Sequence, residues 1–359
     1  MKYYSTEKID KKNATYNVIF GERSNGKTYC LLLKGVKEYI KTGKQLAYVR
    51  RWKEDITGRR GSRLYAGLIE NGEIEKVTDG EFKGVHYYAG KFYLCNYNES
   101  GKAVYSDQDV IAYAFSLSDG EHDKSNSFPN IGLIVFDEFL TNKLYLNDEF
   151  VLFMNTVSTI VRRREDVKIY MLGNTVNRFA PYFVEMGLTH VQKMKQGSID
   201  VYHYGNSELK VAVEHCSETV TTKQQNKYFA FNNPKLEMIT SGVWELDIYP
   251  HLPSKYTPKD VLLDYFIIFN DNIFHCSVID NGDVFTYIHK KTTPLKDENI
   301  DLVYDLKHNP KRNYNRSVLK PTSKVQSKIA WFFKNDKVFY QDNEVGDTIN
   351  NYIKICRSL

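Results

Sequence analysis

The 359-residue chain has no stretch approaching the roughly eighteen consecutive apolar residues that a membrane-crossing helix needs, and Met1 to Asp10 carry charge in place of an apolar signal core. No membrane partner is expected, and the protein should stay in the cytoplasm where it is made. Proline and glycine are sparse, at 9 and 21 residues, which excludes collagen-like, low-complexity and linker-dominated chains. No internal repeat occurs. The five cysteines, Cys30, Cys95, Cys216, Cys276 and Cys356, are odd in number, scattered and without a C-x-x-C pair, so reduced thiols are expected in place of zinc or disulfides. The repeated dipeptides His215-Cys216 and His275-Cys276 do not alter this, because neighbouring strand residues point to opposite faces. A strong excess of one charge is missing too. Forty-nine basic against 44 acidic residues leave +5, which permits an anionic partner without demanding one.

Hydrophobic residues make up 42% and aromatic residues 14%, with 27 Tyr and 20 Phe, enough for a folded chain of two domains. Thr15 to Phe20 is a short apolar run that stops at Gly21, and Leu31, Leu32, Val36 and Ile40 then recur at helical spacing up to Thr42-Gly43. Strand, glycine loop and helix follow in that order. Gln45 to Arg51 reads as a second strand, Arg59 to Arg63 as an exposed basic loop, and Tyr87 to Leu94 as a β-hairpin. Ile131 to Phe136 predicts a strand buried on both faces, Phe150 to Ile160 a helix, and Val167 to Leu172 another strand ending at Gly173-Asn174. The alternation implies an α/β fold with a mostly parallel sheet over residues 1–206. Residues 207–259 read as a linker. Short strands separated by Asn-Asp and Asn-Gly turns, and a closing helix over Thr348 to Cys356, make 260–359 a smaller α+β domain.

Gly21-Glu22-Arg23-Ser24-Asn25-Gly26-Lys27-Thr28 matches the phosphate-binding loop G-x-x-x-x-G-K-[ST] at every fixed position, between a predicted strand and a predicted helix. Its backbone N–H groups can wrap phosphates, Lys27 can reach the β and γ phosphates, and the Thr28 hydroxyl can bind Mg²⁺. ATP and Mg²⁺ are the expected ligands. Asp137 and Glu138 follow the apolar strand, where the first can hold the metal's water shell and the second can orient and deprotonate an attacking water. Paired acids there mark the additional-strand, catalytic-glutamate class of ATPases. A cation for the transferring phosphoryl group can come from Arg162, Arg163 or Arg164, the alternative for each being a solvated helix end. Asn174 can sense the γ phosphate or simply end its strand in a turn. Two basic clusters can meet DNA phosphates: Lys53, Arg59, Arg60 and Arg63, and the stretch Lys307 to Lys328, with seven Lys or Arg and no acid. A solvated face is the alternative for both.

Several stretches together resemble the DNA-packaging (encapsidation) ATPases of small phi-29-like tailed phages. Beside the phosphate loop they are Ala47-Tyr48-Val49-Arg50-Arg51-Trp52-Lys53, Lys124 to Asn130, Ile134 to Phe139, and Arg162 through Asn174 to Pro181-Tyr182-Phe183, nearly all within the first 185 residues. The resemblance implies a homomeric ring, usually pentameric, that docks on the portal (connector) of an empty head and threads double-stranded DNA inward using ATP. It implies transient residence at the portal vertex, absence from the mature virion, and a second domain like an RNase H-type nuclease without activity. By motif, Arg162 aligns with a trans-acting arginine finger and Lys124 with a basic residue facing the neighbour or the DNA. Arg163 departs from the pattern, leaving the finger open between Arg162 and Arg164. The need for a structural RNA stays open. Rival readings are a helicase or partition-type ATPase on cellular DNA, or a nucleotide-dependent scaffold without hydrolysis.

Overall fold

Runs of apolar and β-branched residues with no alternation must be buried on both faces, and in the computed structural model these runs form the centre of one large sheet. The structure describes residues 4–23, 25–119, 127–141, 145–175, 180–216, 249–295, 297 and 299–359. The described residues fall into two compact units, one taking those within 1–142, 148–178 and 190–244, the other those within 143–147, 179–189 and 245–359.

The first unit holds a nine-stranded sheet in the order β3-β4-β5-β2-β6-β7-β1-β9-β8. These strands are β1 Tyr16–Gly21, β2 Gln45–Arg50, β3 Gly84–Tyr88, β4 Lys91–Tyr97, β5 Ala103–Ser116, β6 Ile131–Asp137, β7 Lys168–Asn174, β8 Ile199–His203 and β9 Lys210–His215. From β5 to β9 every pairing is parallel, while β3, β4 and β8 are antiparallel additions at the two edges. β6 and β1 do not touch, because β7 lies between them. That inserted strand is the extra strand for which the expected ATPase class is named.

Helix α1 is Glu7–Asp10, and α2, Lys27–Thr42, packs Leu31, Leu32 and Val36 into the core and ends at Gly43, whose φ of 72° suits a residue without a Cβ. Helix α6, Glu149–Val161, connects β6 to β7. Three short helices, α3 Gly58–Ser62, α4 Ala66–Glu70 and α5 Glu73–Val77, lie between β2 and β3. The expected loop over Arg59 to Arg63 is thus corrected to a helical turn, anchored by buried Gly61, where an added Cβ would come within 2.5 Å of the Ile56 carbonyl. The β3–β4 hairpin turns at Ala89-Gly90, both with positive φ. β5 has no counterpart in the sequence reading. Its first half is solvent-exposed and polar, so it lacks the apolar periodicity that marks the other strands. β9 pairs with β1 in the main sheet, so the first unit reaches past residue 206 into the stretch read as linker, of which 217–248 lie outside the described residues.

The second unit holds a six-stranded sheet, order β14-β13-β10-β11-β12-β15. It comprises β10 Val261–Phe269, β11 Asn272–Asp280, β12 Val284–Lys291, β13 Val303–Asp305, β14 Tyr314–Asn315 and β15 Val338–Tyr340. β10, β11 and β12 form the expected antiparallel meander, and β13 continues it parallel to β10. Short α7, Pro181–Glu185, belongs to this unit, as do α8, Lys324–Lys334, and α9, Asn343–Ser358. α8 and α9 cover an apolar core that includes Tyr265, Phe274, Ile329 and Tyr352.

Candidate active site

The loop after β1 must curl tightly before α2 can start, and the two fixed glycines allow it. Gly26 has φ 88°, and a Cβ at Gly21 would stand 2.8 Å from the Cβ of Cys216. Cys216 itself is buried, which pushes its thiol up to about 12. Lys27, the first residue of α2, is buried and folds its Nζ back into the loop, donating to the Glu22 carbonyl at 2.7 Å and to Asn25 Oδ1 at 3.1 Å. Burial pulls its ammonium below the usual lysine range, against the opposing pull of Cys216, Asp137 and Glu22. A phosphate would supply the charge partner this lysine has in only partial form. Glu22 and Asn25 are buried, Arg23 is exposed, and Ser24 lies outside the described residues.

β6 brings its acids to the same edge. Thr28 Oγ1 donates to Asp137 Oδ2 at 2.8 Å, and Tyr48 OH, from neighbouring β2, donates to the same oxygen at 2.7 Å. Burial, reinforced by the Asp137 carboxylate, keeps the Tyr48 phenol protonated far above its usual range, so it serves as a donor. The Thr28 hydroxyl and the Asp137 carboxylate are hard oxygen ligands in contact, the donor chemistry that suits Mg²⁺. Glu138 follows in a left-handed conformation, φ 59°, with its N–H on Asp137 Oδ1 at 3.0 Å. Its side chain is 56% exposed and is held by Arg50, Nη2 to Oε2 at 2.6 Å. Asn174 ends β7 in register with Gly21, and the Thr175 N–H bonds the Gly21 carbonyl at 3.1 Å, so Asn174 stands beside the first residue of the loop. The fold therefore gathers Lys27, Thr28, Asp137, Glu138 and Asn174 at the carboxyl ends of three adjacent parallel strands.

The arginines after α6 lie elsewhere. β6 and β7 are parallel, so α6 must run back from the carboxyl edge to the amino edge of the sheet, and its thirteen residues cover about 20 Å. Arg162, its C-cap residue, is exposed at that opposite edge and cannot serve the phosphates of its own chain. Arg164 donates to the carbonyls of Pro129, Phe128 and Ile160, at 2.9, 3.3 and 3.0 Å. Those contacts hold the Arg164 guanidinium against its own chain. Lys53 pairs with Asp119 at 2.6 Å, and Arg59 and Arg60 line a cavity of about 670 Å³ with Tyr48, Arg50 and Arg63, adjoining the acid pair. Lys124 lies outside the described residues.

Four side chains at the site carry roles the strand pattern does not single out: Tyr48, Arg50, Arg51 and Glu149. Arg51 and Glu149 are both buried and meet in a two-point ion pair. The available signal was an arginine pair closing an otherwise apolar strand, where a charge must find a partner.

Comparison with known proteins adds an independent line. The profile of the podovirus DNA encapsidation protein (Gp16) matches residues 1–228, well over half of the chain. The chain belongs to that family. The DNA packaging protein of Bacillus phage phi29 is 29% identical over 189 residues, 52% of this chain and 50% of the relative. That of Bacillus phage B103 is 30% identical over 175 residues, 48% of each. The chain therefore spans about half the length of the curated relatives it matches. Two solved structures share the fold along nearly the whole chain. The bacteriophage phi-29 genome packaging motor assembly has a TM-score of 0.52 at 21% identity, covering 99% of both chains, and the phi-28 DNA packaging motor scores 0.55 at 16%, covering 99% and 98%.

Proposed function

We infer that this encapsidation-family protein is an ATP-hydrolysing motor that translocates double-stranded DNA into a preformed phage head. The contact between Thr28 and Asp137 carries the reading, because it joins the phosphate loop to the acidic strand in one oxygen-rich site. Lys27 would leave its loop carbonyl for the β and γ phosphates, and Thr28 and Asp137 would hold Mg²⁺, whose charge neutralises the phosphate oxygens. Glu138 would turn from Arg50 to orient and deprotonate the attacking water, and Asn174 would sense the γ phosphate. Arg162 acts on a neighbour's nucleotide, since its own lies a helix length away. The assembly is a ring, expected to be pentameric, docked at the portal vertex, with a structural RNA as a further partner to test.

Moving DNA of any sequence calls for phosphate contacts from basic loops, for which Lys53, Arg59, Arg60 and Lys124 in the first unit and the Lys307–Lys328 stretch in the second are the candidates. The second unit is assigned docking and DNA contact without cleavage. Of the acids expected at turns, Asp264 lies in mid-strand on β10 and Asp280 ends β11, and Asp264 is occupied by Ser277 at 2.6 Å and His275 at 2.9 Å. Two-metal cleavage needs several carboxylates converging on one pair of ions. ATP-dependent protection of DNA in portal-bearing heads tests the whole reading. Strand displacement on naked DNA would favour a helicase instead, and absence of phosphate release would favour a scaffold.

A further inference from the structure

Behind the acid pair lies a buried charge cluster that none of these steps uses. Arg51 Nε donates to Glu149 Oε2 at 2.7 Å and Arg51 Nη2 to Glu149 Oε1 at 2.9 Å, so the guanidinium and carboxylate meet in parallel. The remaining donors reach two consecutive backbone carbonyls, Nη1 to that of Glu138 at 3.1 Å and Nη2 to that of Phe139 at 2.8 Å. The two side chains are almost wholly buried, at 7% and 0% exposure. Burying such a pair is costly and is tolerated only where its hydrogen bonds are well formed, so the arrangement has a structural consequence worth locating. That consequence falls on Glu138. Its positive φ is disfavoured for a residue with a Cβ, and two adjacent carbonyls held by one planar guanidinium fix the peptide that follows it. The Phe139 N–H is tied in turn to the Leu172 carbonyl of β7 at 3.1 Å, so the segment is gripped from both sides.

We propose that the Arg51–Glu149 pair is a positioning clamp that holds the backbone of Glu138 so that its carboxylate, once released from Arg50, points at the attacking water. The inference rests on the reading of Glu138 as the water-orienting residue. Glu149 is also the first residue of α6, so the clamp fastens the glutamate to the start of the helix that ends at Arg162. Lysine at position 51 keeps the charge but loses the planar fork, and glutamine at 149 keeps the shape but loses the charge.

Full-length chains carrying Arg51→Lys or Glu149→Gln, each alone and combined with Glu138→Gln, are compared for binding of a fluorescent ATP analogue and for single-turnover release of labelled phosphate. The single variants should bind within about twofold of the unaltered protein and hydrolyse at least about tenfold more slowly, a loss in turnover and not in ground-state affinity. In the Glu138→Gln background the same changes should lower the residual rate by less than about twofold, because a residue acting through Glu138 has nothing left to position. Full additivity in that background overturns the clamp, as does normal hydrolysis by both single variants. Loss of nucleotide binding by both also overturns it, assigning the pair to folding alone. Normal hydrolysis by Glu138→Gln by itself overturns instead the reading of the site, and the clamp with it.

Discussion

The two sheets of this protein handle their acids in opposite ways. In the first, the strands from β5 to β9 run parallel, so Gly21, Arg50, Asp137 and Asn174 all end up along one edge. In the second, β10, β11 and β12 run antiparallel, so the turn carrying Asp271 and the turn carrying Asp283 fall at opposite edges. The environments differ accordingly. Asp137 is buried and shared by two hydroxyl donors, whereas Asp271 and Asp283 are exposed and face Lys307 and Lys337 at 3.7 and 2.6 Å. Asp305, at the end of β13, adds an acid near Asp271, and burial, with that neighbour, raises its carboxyl above the usual aspartate range. Parallel connectivity gathers functional groups at one end of a sheet, while a meander deals them alternately to both.

The sharpest test of that contrast replaces one acid in each sheet. Glu138→Gln should lower ATP hydrolysis about 10³- to 10⁴-fold with nucleotide binding intact, whereas Asp305→Asn should leave it within about twofold in a phosphate-release assay. Comparable losses would break the comparison. Within the first sheet, Arg162→Ala at the amino edge should cost at least about 10³-fold in hydrolysis, and mixing with Lys27→Ala subunits should restore part of it if the arginine acts in trans. Failure of every mixture to rescue would place Arg162 outside catalysis.

Smaller effects are expected from the basic rims. Removing Arg59 and Arg60 together should weaken DNA binding uniformly across sequences and flatten the salt dependence by a slope of about 1 to 2, and removing Lys324 and Lys328 should do the same if the second unit also touches DNA. A sequence-specific footprint would contradict both. The smallest effect concerns Asp166, whose carboxyl is held below its usual 3.8 chiefly by the hydrogen bond from Lys44 Nζ at 2.6 Å. Because the folded state lowers this pKa, the pair stabilises above about pH 4 and fades as pH falls below that. It is half exposed, so Asp166→Asn should cost under about 1 kcal/mol in urea unfolding at pH 7 and almost nothing at pH 2.

How far the sequence carries depends on whether a feature is local. The phosphate loop, α2, β6 with its acids, α6, β7 and the meander are all legible, because each is a contiguous apolar period bounded by its own glycine, acid or turn residues. β5 and α8 escape that reading, the first because half of it is polar and exposed, the second because it lies in a stretch marked mainly by its lysines and arginines. The membership of β9 in the main sheet escapes it too, since pairing with β1 joins segments nearly two hundred residues apart.

The amino-acid sequence by itself determined the chemical inventory at the site: a glycine loop ending in Lys27 and Thr28, and an apolar strand delivering Asp137 and Glu138. Those are short-range facts, set by residue type and spacing. Only the tertiary structure decided that Tyr48 shares Asp137 with Thr28, that Arg50 pairs with the Glu138 carboxylate, and that Arg51, paired with Glu149, bonds the Glu138 carbonyl. It also decided that Arg162 lies a helix length from the nucleotide loop of its own chain. The physical reason is that hydrogen bonds and ion pairs act over about 3 Å in space, and the parallel sheet brings to that distance residues as far apart in the chain as Phe20 and Cys216.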